Sequence, residues 1–237
     1  LLDLAGDLVP SIEWFVYAFV RKEAVLSAQI EGTQATLMDL LEVEASGEEP
    51  TDADVEEVCG YVSALSHAWD DLGSETGLPI SMRLMSETHR RLLHGARGSQ
   101  KQPGEVRRSQ NWIGGTRPGN ASFVPPPPQR LGELLSQFER AMHDESDLPP
   151  LVRIGLLHVQ LETLHPYLDG NGRLGRLLIT LLLRHWGLLS RPLLYLSLYL
   201  KQNRATYYAL LDEVRHEGDW EAWLSFFLDG VRETAEG

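Results

Sequence analysis

Apolar positions recur three and four residues apart along most of the chain. That spacing predicts helices over roughly 11–31, 36–46, 52–71, 80–94, 129–143, 150–164, 172–186, 203–216 and 219–232. Polar, glycine- and proline-bearing breaks separate them: SGEEPTD near 46–52, GSETGLP near 73–79 and HDESDLPP near 143–150. Pro149 and Pro150 suit a helix start, where a missing N–H costs little. One region breaks the rhythm. Residues 107–131, RRSQNWIGGTRPGNASFVPPPPQRL, set Gly114, Gly115, Pro118 and Gly119 between two short β-prone runs, NWI and SFV, which reads as a hairpin. Pro125 to Pro128 then force an extended exit. A proline-rich ligand for another domain is the competing reading of that run. Long structured loops in compact domains are often functional.

The pattern therefore describes a mainly α protein. Its 237 residues fit one large domain, or a domain with a small extension. Thirty-four acids against 21 basic residues give a formal charge of -13, which disfavours nucleic acid as a partner while leaving room for a locally basic pocket. A single cysteine, Cys59, allows no disulfide within the chain and points to a reducing, cytoplasmic compartment. The apolar run IEWFVYAFV, Ile12 to Val20, is too short to span a bilayer and lacks a signal-peptide cleavage site. No membrane partner is expected. The chain opens on Leu rather than Met, which reads as a piece of a longer protein.

The densest chemistry lies in TLHPYLDGNGRLGRLL, Thr163 to Leu178, between two leucine-rich core helices. Pro166 disfavours helix at His165, so the first helix ends there and the histidine faces a turn. In Asp169-Gly170-Asn171-Gly172 the glycines let backbone N–H groups converge, and a helix N-terminus behind them makes an anion-binding nest. Arg173 and Arg176 on the first turn oppose the helix dipole unless something negative binds. A polyphosphate would resolve that conflict, and Asp169 would suit a magnesium ion bridging the phosphates. A capped turn with solvated arginines is the bland alternative. No Gly-Lys-Ser/Thr follows, as a P-loop needs, and the Gly and Glu positions do not fit an EF-hand. Glu162 with His165, and Glu213 with His216, form E-x-x-H pairs that could hold two metals in a helix bundle. No further matched acids are evident, and the two arginines would repel such a centre.

His165-Pro166-Tyr167-Leu168-Asp169-Gly170-Asn171-Gly172-Arg173-Leu174-Gly175-Arg176 resembles the signature of the Fic (filamentation induced by cAMP) family, H-P-F-x-[DE]-G-N-G-R-x-x-R. Tyr167 in place of Phe is the only departure. NWIGG…ASFVPPPP is similar to the family's flap hairpin, NRATYYALL…GDWEAWLSFFLDGV to its C-terminal helices, and EAVLSAQIEGTQATL to the N-terminal extension of a large subgroup. The resemblance implies a Fic fold: a helical domain with a β-hairpin flap, residues 51–237, preceded by a helical segment over 1–50. It implies transfer of AMP from ATP, with Mg2+, to a Ser, Thr or Tyr hydroxyl of a target protein. His165 would be the general base and Asp169 the metal ligand. Gly170, Asn171 and Gly172 would surround the α and β phosphates, and Arg173 and Arg176 would bind the phosphate tail. Ile113, Gly114, Gly115, Phe123 and Val124 would dock the target segment. Tyr208 matches a tyrosine near the adenine. Seven positions later some members carry asparagine, and here Arg215 stands there. Self-modification is a further expectation, and exposed aromatics among the helices would serve a homodimer.

SAQIEG, Ser27 to Gly32, reads as a helix end with Gly32 as cap and an acid, Glu31, against the dipole. By resemblance it matches the inhibitory pattern [ST]-x-x-x-E-[GN]. Glu31 would then pair with Arg176 and obstruct the ATP γ-phosphate, with Ser27 holding the segment. Two alternatives use the same residues: removal of AMP from a modified protein, with Glu31 positioning water, and a regulatory module that holds nucleotide without turnover.

Overall fold

The computed structural model describes residues 11–95 and 98–236. Among the described residues ten α-helices follow one another: α1 (Ile12–Ile30), α2 (Leu37–Ser46), α3 (Ala53–Gly73), α4 (Met82–Leu92), α5 (Pro128–His143), α6 (Pro150–Leu164), α7 (Asn171–His185), α8 (Ser197–Gln202), α9 (Arg204–Glu217) and α10 (Trp220–Glu236). The chain is mainly α, as its periodicity predicts. Residues 1–10 of the expected N-terminal segment lie outside the described residues.

Local chemistry explains the boundaries. Thr36 and Asp39 cap each other reciprocally at the start of α2, and Ser81 accepts the Leu84 N–H at the start of α4. Prolines open α5 and α6. α1 closes on Gly32 at φ 101°, where the Gly32 N–H donates to Gln29 O and the Thr33 N–H to Ala28 O. That paired closure stops the helix one turn past Ser27 and fixes where Glu31 points.

α7 is the central helix. Leu174, Leu177, Leu178, Leu181 and Leu182 are fully buried, so it is apolar nearly all round below its first turn. α6 lies along it, α3 and α4 cover another side, and α1 packs across α3 and α8. α10 closes over α6, where Gly155 admits Phe227 and the Trp223 indole N–H donates to Gly155 O at 3.0 Å. α8 is not foreseen by the apolar spacing: GLLSRPLLYLSLYLKQ is apolar almost continuously and shows no period.

The expected hairpin is not formed as two paired strands. Residues 107–127 make an open loop with one isolated antiparallel bridge, Ile113 to Phe123, and 128–131 already belong to α5. Gly114 and Gly115 both take positive φ, 68° and 66°, and a short 3-10 turn occupies Pro118–Asn120. Beyond Val124 the prolines offer no N–H, so pairing cannot propagate. The proline run is held against its own chain: Pro125 O accepts from Gln110 and Pro126 O from Arg107.

Candidate active site

His165 caps α6 at φ 46°, ψ 58°, a left-handed conformation rare for a side chain-bearing residue. Pro166 explains it, since the preceding residue cannot stay helical. The His165 carbonyl is pinned by the Arg107 Nε–H at 2.9 Å and the Asn111 amide at 3.3 Å. Arg107 is buried, and its guanidinium also donates to Ser109 O and Pro126 O, while its backbone N–H donates to Pro166 O. One side chain thus ties the base of the loop to the His-Pro turn.

Pro166 also leaves the Glu162 carbonyl without its helical N–H partner. The imidazole supplies one: His165 Nδ1 lies 3.3 Å from Glu162 O. A carbonyl only accepts, so Nδ1 carries the proton and Nε2 keeps its lone pair. Burial pushes the His165 pKa down to about 4, and the charges of Arg215 and Arg107 push the same way. The ring is neutral at pH 7.

Asn171 holds the turn. Its side chain accepts from Tyr167 N at 2.9 Å and donates to Tyr167 O at 2.8 Å. Tyr167 is buried, its ring stacked 3.9 Å from that of His89. His89 Nδ1 accepts the Gly104 N–H, so its Nε2–H donates to Asp169 O at 2.9 Å. Desolvation lowers the His89 pKa to about 4, so the ring is neutral at pH 7. Gly170 takes φ 74° and starts α7.

The helix N-terminus opens into a cavity of about 280 Å³ that Glu31, Glu57, His165, Asp169, Gly172 and Arg173 help to line. Arg176 is buried. It donates from Nη2 to Glu31 Oε1 at 2.7 Å and to Ser27 O at 3.0 Å, and from Nε to Ser27 Oγ at 2.8 Å. The Glu31 carboxylate sits so close over the turn that a Cβ on Gly172 would collide with it. Burial opposes its charge, but Arg176, Arg173 and Arg204 outweigh burial and hold its pKa below the ordinary value. Arg173 Nη1 lies 3.0 Å from the buried Glu57, which also accepts the Thr33 hydroxyl, and its Nη2 lies 3.6 Å from Asp169. Four buried donors, Arg173 Nε and Nη1, Arg176 Nη1 and Arg215 Nε, make no hydrogen bond among the described residues, Arg173 Nη1 having only its ion pair with Glu57. Arg176 Nη1 lies beside Gly172.

Buried polar groups brace this machinery from behind. His158 donates from Nδ1 to Gly175 O at 3.0 Å and accepts from Tyr207 Oη at 2.9 Å, so its pKa falls to about 3 under desolvation. Glu162 packs against Gly175. Glu23 accepts from Ser197 N, Ser197 Oγ and Tyr61 Oη. Desolvation raises both acids to about 7. Tyr208 is half-buried under the Arg204 guanidinium, near enough to Glu31 and Arg176 to feel their charges. In the loop Ile113 and Phe123 are half-buried, while Gly114, Gly115 and Val124 are exposed.

No group of three or more His, Cys, Asp or Glu side chains among the described residues is arranged to hold a metal. Asp169 offers one carboxylate with 40% of its side chain accessible, at the cavity and against Gly98, where a Cβ would come within 2.8 Å of Oδ2. A single carboxylate beside an anion nest fits a magnesium ion held mostly by phosphates, not a self-sufficient cage.

Sequence reasoning passed over Arg107, Asn111, His89, Glu57 and Glu23. Two carried a signal: Glu57 shares the buried stripe of Tyr61, Ala64 and Ala68, and Glu23 that of Ser27 and Ile30. An acid on an apolar stripe needs a partner. Arg107, Asn111 and His89 act through carbonyls far away in sequence, and nothing local marks them.

Two family models match in succession, Fic/DOC family N-terminal over residues 1–70 and Fic/DOC family over residues 79–183. Among curated relatives, "Protein adenylyltransferase Fic" of Drosophila melanogaster is 31% identical over 215 residues, 89% of this chain and 40% of that protein. The Drosophila ananassae protein of the same name is 34% identical over 161 residues, 67% of this chain and 29% of that one. The chain therefore spans less than half the length of these relatives. Among solved structures, Fic-1 (aa134–508) from C. elegans superposes with a TM-score of 0.71 at 25% identity, covering 94% of this chain and 62% of that one. A Fic family protein from Desulfovibrio desulfuricans G20 superposes at 0.77 and 22% identity, covering 98% and 67%. Signature turn, N-terminal extension and helical fold agree with both family models, and the chain belongs to the Fic/DOC family.

Proposed function

We propose that the protein is an adenylyltransferase that moves AMP from ATP to a hydroxyl side chain of a target protein and is held inactive by Glu31. The single observation behind this reading is the Arg176–Glu31 contact of 2.7 Å at the mouth of α7. An anion-binding helix end with two arginines already holds an anion supplied by the chain's own α1. The "Protein adenylyltransferase Fic" relatives supply the reaction class.

In this reaction His165 Nε2 takes the proton of the target hydroxyl as its oxygen bonds to the α-phosphorus. The bond from that phosphorus to the bridging oxygen breaks, and pyrophosphate leaves with the electron pair. A neutral imidazole is ready to accept, and a polyphosphate beside the ring raises its basicity toward neutrality. Asn171 and Gly172 present backbone donors to the charge that develops on the phosphates, while Gly170, whose N–H is taken by Asp169 Oδ1 at 2.6 Å, shapes the turn that aims them. Arg173 and Arg176 carry the departing tail. Magnesium, bound through Asp169, would supply further charge neutralisation on the phosphates. Ser27 holds Arg176 toward Glu31, and Gly32 ends α1 at that point. Tyr208 flanks the adenine. The loop edge at Ile113, Gly114, Gly115, Phe123 and Val124 receives the target backbone as an added strand. The catalytic portion begins near residue 51, after the inhibitory segment.

The experiment compares the parent, Glu31→Gly and Glu31→Gly/His165→Ala with α-labelled ATP and cell lysate. Label on protein from the single variant, lost in the double variant, is the expected result. Free AMP released from previously modified protein points to the reverse reaction. Bound ATP with no turnover by any form leaves only a nucleotide-binding module.

A further inference from the structure

The last turn of α9 reaches both halves of the site. Arg215 keeps 3% of its side chain accessible. Its Nη1 holds Asp212 Oδ1 at 2.8 Å, one turn back, and its Nη2 donates to Glu162 O at 3.2 Å. That carbonyl is the one Pro166 leaves open and the one that fixes the His165 ring through Nδ1. On its other face the guanidinium lies 4.9 Å from the centre of the Phe123 ring, within cation–π range. The neighbouring His216 donates from Nε2 to Ser122 O at 3.3 Å and meets Phe123 edge-on. Phe123 is the residue bridged to Ile113, so α9 grips the loop at its one point of pairing.

We propose that Arg215 is a positioning residue that couples the target-docking loop to His165: one guanidinium shares the carbonyl that orients the imidazole and seats Phe123. This rests on the reading of His165 as the base and of the loop as the docking edge. Arginine suits the task because it is a planar fork that can bond in its plane and stack on its face at once, whereas lysine is a point charge. The charges felt at the His165 ring are those of Arg215 from α9 and Arg107 from the base of the loop, which disfavour the imidazolium, and of Glu31 from the end of α1, which favours it. Removing Arg215 takes away one of two cations that disfavour the imidazolium.

The test needs no turnover. Hydrogen exchange of loop amides and an NMR titration of the His165 ring are measured on the unliganded chain for the parent, Arg215→Met and Arg215→Lys. In Arg215→Met the Ile113 amide, bonded to Phe123 O, exchanges at least tenfold faster while core amides of α6 and α7 keep their rates. The His165 midpoint also moves up. Arg215→Lys restores the low midpoint but not the loop protection. Unchanged loop exchange in a folded Arg215→Met protein overturns the proposal. So does acceleration spread evenly over the helices, or a His165 midpoint indifferent to both substitutions. None of these readouts depends on AMP transfer. Absence of transfer would remove the functional reading alone, and absence of these effects the coupling alone.

Discussion

Replacing Glu31 tests the electrostatics of the site most directly. Arg176 retains 1% side-chain accessibility and Glu31 35%, so the pair is buried on one side and wet on the other. Breaking a buried pair from one side costs ~3–5 kcal/mol, and solvent at Glu31 argues for the lower end, ~3 kcal/mol. Holding all but about 1% of molecules closed requires only ~2.7 kcal/mol. The contact is therefore strong enough alone to suppress activity by about 100-fold. Glu31→Gln keeps shape and removes charge, whereas Glu31→Gly also frees the backbone. The assay is initial-rate incorporation of α-labelled AMP, with ATP affinity measured by calorimetry. Both variants should gain rate, Gly by ~100-fold and Gln by a smaller factor, because a neutral amide still fills the space over Gly172. If ATP binds both variants as it binds the parent and neither gains rate, the pairing is structural and the inhibitory argument fails.

The other predictions concern the supports. Asn171→Ala leaves the Tyr167 N–H unsatisfied and its carbonyl with the Asn111 amide alone, which should cost ~1–3 kcal/mol in urea unfolding; an unchanged unfolding curve would mean that the turn holds itself. Glu23 titrates near 7 in the fold against an ordinary 4.5, so the folded state keeps a proton the unfolded chain releases. Its contribution is present below pH 4.5 and lost as pH rises through 7. Relative to the parent, Glu23→Gln should gain up to ~3 kcal/mol between pH 4.5 and pH 8, and a pH-independent difference would contradict this. Removing divalent cations with EDTA, or introducing Asp169→Asn, should weaken ATP binding to Glu31→Gly by at least ~10-fold in calorimetry, one carboxylate–metal contact being worth that much. Equal affinity would exclude Asp169 as a ligand.

The helices were legible because their apolar stripes face one continuous core, and the turn because its backbone needs leave marks. Gly170 must take positive φ, Pro166 must end α6, and two arginines must answer a dipole. α8 escaped because it lies in an almost continuous apolar run, which shows no period. The loop was recognised as irregular, but its two short runs share one bridge, since pairing stops where prolines begin. The cavity's third acid escaped for a different reason: Glu57 meets Arg173 only after α3 and α7 have packed. Spacing along a chain reports which face is buried, but not which distant ion a buried acid will meet.

The left-handed backbone at His165 also stores energy. An L side chain in that region costs ~1–2 kcal/mol, and the site pays it to put an imidazole where a glycine would rest without strain. Two chemically dead variants should therefore differ in thermal stability. His165→Ala keeps the Cβ and the strain, whereas His165→Gly sheds both, at about 1 kcal/mol of extra unfolded-chain freedom. A higher melting temperature for the glycine form would measure the fold's sacrifice for its chemistry: at this one position, reactivity and durability trade against each other.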